Sequence, residues 1–387
     1  MKVLFLSAWY PHRYDSMEGL FVQKHAAASA LYCDVKVIFV YADKNIDTFE
    51  VVQQKHETVS EYIIYYPAGK ENLLGKIKKN INYLRAYKMG FDLLRKENWK
   101  PDILHTNILT RTPLIAYLYK IRTKTPYIIT EHWSRLLEEH SNFNGFLRKF
   151  FAKKVVKNAA YILPVSSILK EGINHHNLLL TKYEVVENVV DTCFYETYPI
   201  AKKDKKQLMN VTCFAEQDKN LFGLLRAVKA VSETRSDFQL LLVGTGKDYE
   251  MTYNYYQSLD FPKGCVIFTG LKTSEEVAEM MQNVDAIVQF SNKETAGVVI
   301  QEALVSGKPV ISTKVGIAPD FIDKNNGILV DIGNENQLIN AIQYILNNLD
   351  KYDSKKIMDS AKNAFSYETI GKKYFEIYKE TVQYRKN

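Results

Sequence analysis

The densest run of residues able to do chemistry is Ser291-Asn-Lys-Glu294-Thr-Ala296-Gly297-Val298-Val-Ile-Gln-Glu302, closed by Gly307 and Pro309. Its apolar flanks predict a strand ending at Phe290, a loop carrying Glu294, a helix from Gly297 to Val305, and a new strand at Pro309. A helix that opens at Gly297 aims backbone N–H groups and a positive dipole end at whatever precedes it, which suits a phosphate. Glycine there lets a ligand approach the backbone closely. On that helix the Glu302 carboxylate is suited to accept hydrogen bonds from paired ribose hydroxyls, and Glu294 can do the same for a sugar. Taken singly, these residues equally fit a solvated loop acid, an N-cap glycine and a surface glutamate.

The elements that must position such a site are legible as short β-rich runs alternating with longer helical patterns, the signature of parallel sheets built from βαβ units. The first half carries strand candidates at Val3–Ser7, Val35–Tyr41, Tyr62–Tyr66, Ile103–His105, Tyr127–Thr130, Tyr161–Val165 and Glu184–Glu187. The second carries them at Asn210–Phe214, Gln239–Val243, Val266–Thr269, Ala286–Phe290, Pro309–Ser312 and Gly327–Val330. A Lys-rich stretch, Ala201–Gln207, separates the two series. The expected architecture is α/β, two Rossmann-like doubly wound domains facing a cleft, spanning 1–200 and 201–365. An amphipathic helix follows over 366–387, with Ile370, Tyr374, Ile377 and Tyr378 on its apolar stripe. In such sheets ligands bind beyond the carboxyl ends of the strands. The positions to search are therefore Asp15 and Gly19, His105 to Asn107, Glu131-His132-Trp133, Ser166, Glu216 to Lys219, Gly244 to Gly246, Gly270, and Ser291 to Gly297.

A chain of 387 residues, 46% hydrophobic and 25% charged, is long enough for two cores and excludes disorder, collagen and disulfide scaffolds. The net charge of +7 favours anionic ligands or surfaces without the density of a dedicated nucleic-acid binder. Cys33, Cys193, Cys213 and Cys265 lack CxxC spacing, which fits reduced thiols and a cytoplasmic location. The apolar start is broken by Pro11, His12 and Arg13 and reads as a strand rather than a signal peptide, and no run is long enough to span a bilayer. His105 and the pair His175-His176 have no partner at metal-ligand spacing, and Asp43, Asp47 and Asp285 form no Asp-x-Asp, so no metal is expected. Gly244-Thr-Gly246 has Tyr249 at the third glycine position, which argues against a dinucleotide fingerprint and leaves no cofactor implied.

Together these segments resemble the retaining glycosyltransferases of the GT-B fold, specifically the "glycosyl transferases group 1" family, also called family 4. Glu294 to Glu302 matches that family's Glu-x7-Glu motif. The start Lys2 to Pro11 with Gly19-Leu-Phe-Val resembles its first strand and glycine loop, and Thr130-Glu-His132-Trp its strand-end histidine near the donor sugar. Val186-Glu-Asn188-Val-Val-Asp191 resembles its Asn-Gly-Val-Asp signature, with Val189 in place of glycine. Lys219 matches the lysine of an Arg/Lys pair that holds the donor diphosphate, while Phe214 stands where the arginine would be. Val243-Gly244-Thr-Gly246 and Phe268-Thr-Gly270 match turns walling the nucleotide pocket, and Gly316 to Asp320 resembles a following Gly-Gly-x-x-Glu segment.

The resemblance implies sugar transfer from a nucleoside-diphosphate sugar, with no cofactor beyond that co-substrate, to a saccharide or lipid-linked acceptor in glycan or polysaccharide assembly. His132, Lys219 and Glu294 would be catalytic; Gly19, Gly244, Gly246, Glu294, Ala296, Gly297, Val298 and Glu302 would bind donor. A nucleotide-sugar epimerase, or a scaffold that binds donor without transfer, is the alternative that Phe214 and Val189 raise. Two basic segments, Asn72 to Lys88 and Phe146 to Lys157, mix apolar and cationic residues. Each can lie peripherally on an anionic membrane, or pack on the core with a solvated basic rim. No nucleic-acid partner is expected, since no aromatic-basic recognition module is present.

Overall fold

Strands buried on both faces read as near-continuous apolar runs, and the first such run, Lys2–Ser7 (β1), is enclosed from Val3 onward on either side. The computed structural model describes residues 1–69, 72–137, 143–199 and 203–383. It divides into two units: Met1–Val165 with Leu169–Val189 and Tyr367–Asn387, and Ser166–Ile168 with Val190–Ser366.

In the first unit β1 is followed by α1 (Leu20–Ala30), β2 (Asp34–Asp43), β3 (Glu50–His56), β4 (Val59–Pro67), α2 (Leu73–Lys96), β5 (Ile103–Asn107), α3 (Thr112–Thr123), β6 (Tyr127–Glu131), α4 (Phe146–Asn158), β7 (Tyr161–Pro164), α5 (Ser167–His175) and β8 (Lys182–Tyr183). The sheet order is β3-β4-β2-β1-β5-β6-β7-β8, parallel throughout except for β3, which pairs antiparallel with β4. Val3, Phe5, Val35, Val37, Phe39, Ile63 and Ile103 pack with Val22 and Ala26 of α1 on one face. Helices α2, α3 and α4 form one layer: Phe91 of α2 stacks on Tyr119 of α3 at 4.9 Å, and α3 packs against α4.

The second unit runs β9 (Lys206–Val211), α6 (Glu216–Lys219), α7 (Leu221–Ser232), β10 (Phe238–Val243), α8 (Tyr249–Ser258), β11 (Val266–Gly270), α9 (Ser274–Asn283), β12 (Ala286–Gln289), α10 (Val298–Val305), β13 (Val310–Thr313), α11 (Ala318–Phe321), β14 (Gly327–Val330), α12 (Glu335–Asn347) and α13 (Ser354–Phe365). Its sheet is fully parallel, in the order β11-β10-β9-β12-β13-β14. The two sheets with their crossover helices are the expected α/β class of two parallel-sheet domains.

The last helix, α14 (Tyr367–Gln383), belongs to the first unit and packs along α1. Its stripe is that expected from sequence: Ile370, Tyr374, Ile377 and Tyr378 enter the core with Val22 and Ala26. The Tyr378 hydroxyl pairs with His105 Nδ1 at 2.6 Å, and Tyr374 with His25 Nδ1 at 3.0 Å. The end of the expected helix, beyond Gln383, lies outside the described residues, as do Ala201 and Lys202 of the Lys-rich stretch.

Four local expectations differ from the structure, the first being that the strand expected at Asn210–Phe214 runs instead from Lys206 to Val211, beginning inside the Lys-rich stretch. The chain passes between units at Val189–Val190, ahead of the Lys-rich stretch, because Val190, Cys193 and Phe194 already pack in the second core. Glu184–Glu187 is not a strand: the ladder to β7 ends at Tyr183, and beyond it Val186 N–H donates to the Pro164 carbonyl. The edge strand β3 was not expected, because its exposed run Val51-Val-Gln-Gln-Lys-His56 has no buried face to impose an apolar alternation.

Candidate functional site

In the second unit the strand order reverses between β9 and β12, so the connections leaving those neighbouring strands diverge and open a crevice at their carboxyl ends. The β9 connection delivers Lys219 at the end of α6, and the β12 connection delivers Glu294. The two loops are stitched together: Asn292 N–H donates to the Asp218 carbonyl at 2.8 Å, and the Asn292 side-chain amide to the Gln217 carbonyl at 3.1 Å.

Across that seam Lys219 Nζ forms an ion pair with Glu294 Oε1, which also accepts from the Ser291 hydroxyl at 3.0 Å. Both side chains are mostly shielded from water. Burial works against the charge on Lys219, but the Glu294 carboxylate outweighs it and raises the ammonium above its ordinary range. The lysine is therefore a fixed, fully charged cation in a partly desolvated crevice.

Gly297 sits at φ 77°, in the left-handed region, as the N-cap of α10, so the helix begins at Val298 as expected from sequence. The first N–H groups of any α-helix have no partner within it, and the N-cap of α10 lies against Glu294, whose Cβ is 3.9 Å from where a Cβ on Gly297 would stand. The buried Ala296 carbonyl accepts from Ile317 N–H at 2.8 Å, which fixes the approach to the cap. Glu302 lies one turn beyond Val298 on α10 and is partly buried.

Gly244 and Gly246 have a packing role as well as a place in the crevice. A Cβ on Gly246 would meet the Cys213 carbonyl at 1.6 Å, and one on Gly244 the Thr212 carbonyl at 2.0 Å. These contacts bring the ends of β9 and β10 together. Phe214, where the resemblance calls for arginine, is fully buried at φ 43°, with ring centroids 4.8 Å from Tyr249 and 6.1 Å from Phe268. Its carbonyl is held by Asp248 N–H at 2.9 Å. That position serves the core and places no cation in the crevice.

In the first unit the order reverses between β1 and β5, and the strand-end residues there are Ser7, Asn107 and, on β6, Glu131. Gly19 (φ 68°) is the N-cap of α1, and a Cβ there would meet the Trp9 carbonyl carbon at 2.3 Å, which excludes any other residue. His132 is buried, with its ring 4.3 Å from Phe21 and 5.3 Å from His25, and its Nε2 has no protein partner. Burial, with His25 and His105 nearby, holds its pKa well below the ordinary value, so the ring is neutral. His105 is structural: its nitrogens pair with Tyr378 and Thr130, both at 2.6 Å.

Two further residues among the strand-end positions marked for search complete this end. Asn107 is fully buried with neither amide atom partnered. Glu131 accepts N–H groups from Leu109, His132 and Trp133 at 2.6, 2.9 and 2.7 Å, so its carboxylate builds the turn that presents His132. Its adjacency to His132 was the available signal.

Burial raises the Glu131 pKa from 4.5 to about 7, against the three N–H donors. The folded state thus binds this proton more tightly than the unfolded chain, so the stabilisation is complete below pH 4.5 and is lost as pH rises through 7. Glu131→Gln is expected to flatten the fall in unfolding temperature between pH 4.5 and 7; parallel curves for variant and parent would contradict the assignment.

Two parallel-sheet units, each with a strand-order reversal, are the architecture of the GT-B glycosyltransferases. A family model for Glycosyltransferase Family 4 matches residues 28–194, and one for Glycosyl transferases group 1 matches 199–363. The chain belongs to the group 1 (family 4) glycosyltransferases. It is 26% identical over 320 residues to N-acetyl-alpha-D-glucosaminyl L-malate synthase of Bacillus anthracis, covering 78% of this chain and 80% of that protein. It is 28% identical over 272 residues to an uncharacterized glycosyltransferase of Methanocaldococcus jannaschii, covering 70% and 72%. Among solved structures, sucrose-phosphate synthase from Thermosynechococcus elongatus superposes with a TM-score of 0.77 at 19% identity, covering 99% of this chain and 100% of that one. Anabaena HepE in complex with UDP-glucose gives 0.72 at 18% identity, covering 99% and 100%.

Proposed function

We propose that the protein transfers a sugar, with retention of anomeric configuration, from a nucleoside-diphosphate sugar to a saccharide or lipid-linked acceptor, in glycan assembly. The observation that carries this reading is the Lys219–Glu294 pair held beside the α10 N-terminus on either side of the strand-order reversal. As the donor bond breaks, negative charge grows on the departing diphosphate, and preorganised cations and N–H groups aimed at it lower the barrier. Lys219 and the N–H groups at Gly297 and Val298 supply that charge. Glu302 holds the ribose, and Glu294, released from or shared with Lys219, accepts from sugar hydroxyls.

His132, a neutral imidazole with an unpartnered Nε2, hydrogen-bonds the transferred sugar rather than donating a proton as an imidazolium. The acceptor hydroxyl attacks on the leaving-group face, its oxygen forming the new glycosidic bond as the phosphate oxygen departs and takes its proton. No carboxylate acts as nucleophile, unlike the acid and nucleophile pair of a retaining glycosidase. The reading assigns no metal, and the rate in excess EDTA is expected to equal that in buffer.

The test is a thermal-shift screen of UDP-, GDP-, ADP- and dTDP-sugars. One nucleotide at ~100 times its dissociation constant is expected to stabilise the protein by about 2.7 kcal/mol. Glu302→Ala is expected to weaken that binding by roughly 1.5–3 kcal/mol, the worth of a hydrogen bond to a charged group. Absence of a shift with every sugar nucleotide would overturn the reading. Donor consumed into its epimer, or bound without transfer, would favour the epimerase or scaffold alternative that the buried Phe214 motivates.

A further inference from the structure

Helix α2 carries two apolar stripes on opposite sides. At 100° per residue, Tyr83, Ala86, Tyr87, Gly90 and Leu94 share the face that enters the core. Leu73, Ile77, Ile81 and Leu84 fall on the far side and are exposed, with Leu73 at 76% and Leu74 at 75%. Sequence periodicity groups Tyr87 with those four, but the structure turns Tyr87 inward and leaves the others in water. The core-packed reading of this stripe is therefore excluded.

Helix α4 repeats the arrangement. Ala152, Val155 and Val156 face the core, while Phe146, Leu147, Phe150 and Phe151 are exposed on the other side, Phe146 at 83%. Monomeric proteins rarely leave so many large apolar side chains together in water without a partner for them.

The charge around these stripes says what that partner is. From Asn72 to Phe91 there are five cations, Lys76, Lys78, Lys79, Arg85 and Lys88, and the one acid of α2, Asp92, follows and pairs with Lys88 at 2.7 Å; α4 has five more cations, Arg148, Lys149, Lys153, Lys154 and Lys157, and no acid. All ten belong to one layer of one unit, and α2 and α4 each begin after the carboxyl end of a parallel strand, β4 and β6. Their apolar first turns thus lie at the end of the sheet that carries Gly19 and His132.

We infer that this layer is a docking surface for an anionic lipid bilayer, with the exposed Phe and Leu side chains entering the acyl boundary and the flanking cations meeting the headgroups. Apolar side chains ringed by ten cations, with Asp92 the one acid of the two helices, match that surface, whereas a soluble protein partner of ordinary charge would not complement so one-sided a field. No described helix is long and apolar enough to cross a membrane, so contact is from one side through α2 and α4. The inference does not rest on the proposed chemistry, although it would bring the His132 end to a lipid-linked acceptor.

The test is co-sedimentation of the full chain with phosphatidylcholine vesicles, with and without phosphatidylglycerol. Binding is expected only to the mixed vesicles. The pair Phe146→Ser with Phe150→Ser, and separately Leu73→Ser with Ile77→Ser, should each lower partition at least about tenfold. Lys78→Glu with Arg85→Glu should do the same through charge. Circular dichroism and the sugar-nucleotide thermal shift serve as controls and should be unchanged, since these side chains lie outside the donor machinery. No vesicle binding by a protein that still binds nucleotide overturns the inference, as does equal binding by both serine variants. Concentration-dependent self-association abolished by the same substitutions would overturn it too, assigning the surface to a second copy of this chain.

Discussion

Lys219→Ala is expected to lower kcat/KM for the donor by roughly 10²–10³-fold, the cost of removing one preorganised contact to charge that develops in the transition state. The size follows from the site. Lys219 is mostly buried, its charge is reinforced by Glu294, and α6 is tied by backbone bonds to the loop that carries that glutamate. The cation is thus already placed, and no reorganisation is needed as the diphosphate departs. Because the lysine is not fully withdrawn from water, the stability loss on removing it should be smaller than the 3–5 kcal/mol typical of breaking a buried pair.

Activity should therefore fall far more than the unfolding temperature does. Glu294→Gln separates the two roles of the pair: the amide oxygen still accepts from Lys219, but the counter-charge is gone. Steady-state rates for both variants, measured well below the unfolding temperature of each, check the assignment. Lys219→Ala within threefold of the parent, by the general scale of such contacts, would remove Lys219 from the reaction.

The parts of this site that were legible in the sequence are those where the chain itself forces a local structure. Gly297 must be glycine-like to enter α10 at φ 77°, and Gly307 follows its end, so strand, loop and helix were fixed around Glu294 within a residue or two. The α14 stripe was legible for the same reason: four apolar positions at helical spacing must be covered, and α1 covers them. Pairing was not legible. Lys219 and Glu294 are distant in sequence, and only the strand-order reversal between β9 and β12 brings their loops together.

Nor could periodicity tell which of two apolar stripes on α2 faces the core. Tyr83 and Tyr87 are long enough to reach β-sheet residues and do so, while the smaller stripe stays outside. Glu131 and Asn107 were legible as strand-end positions to search but not in their roles, which depend on burial, and neither residue type nor spacing reports burial for a single polar side chain at a strand end.

Phe214→Arg restores the residue that the family resemblance calls for, and it is expected to destabilise the second unit without raising donor affinity. The Phe214 ring is fully buried among Tyr249, Phe268 and the α7 side chains Leu221 and Leu224. Its loss alone should cost about 3–5 kcal/mol. A guanidinium there has no acceptor in the aromatic cluster and would have to leave it, abandoning the cavity. The backbone offers little freedom for this, since φ is 43° and the carbonyl is held by Asp248. In a unit of this size that cost lowers the unfolding temperature by roughly 6–20 °C. Calorimetry of the variant with and without a sugar nucleotide reads both quantities. A variant as stable as the parent that also binds donor more tightly would mean that position 214 opens onto the diphosphate, and that the aromatic packing around it is dispensable.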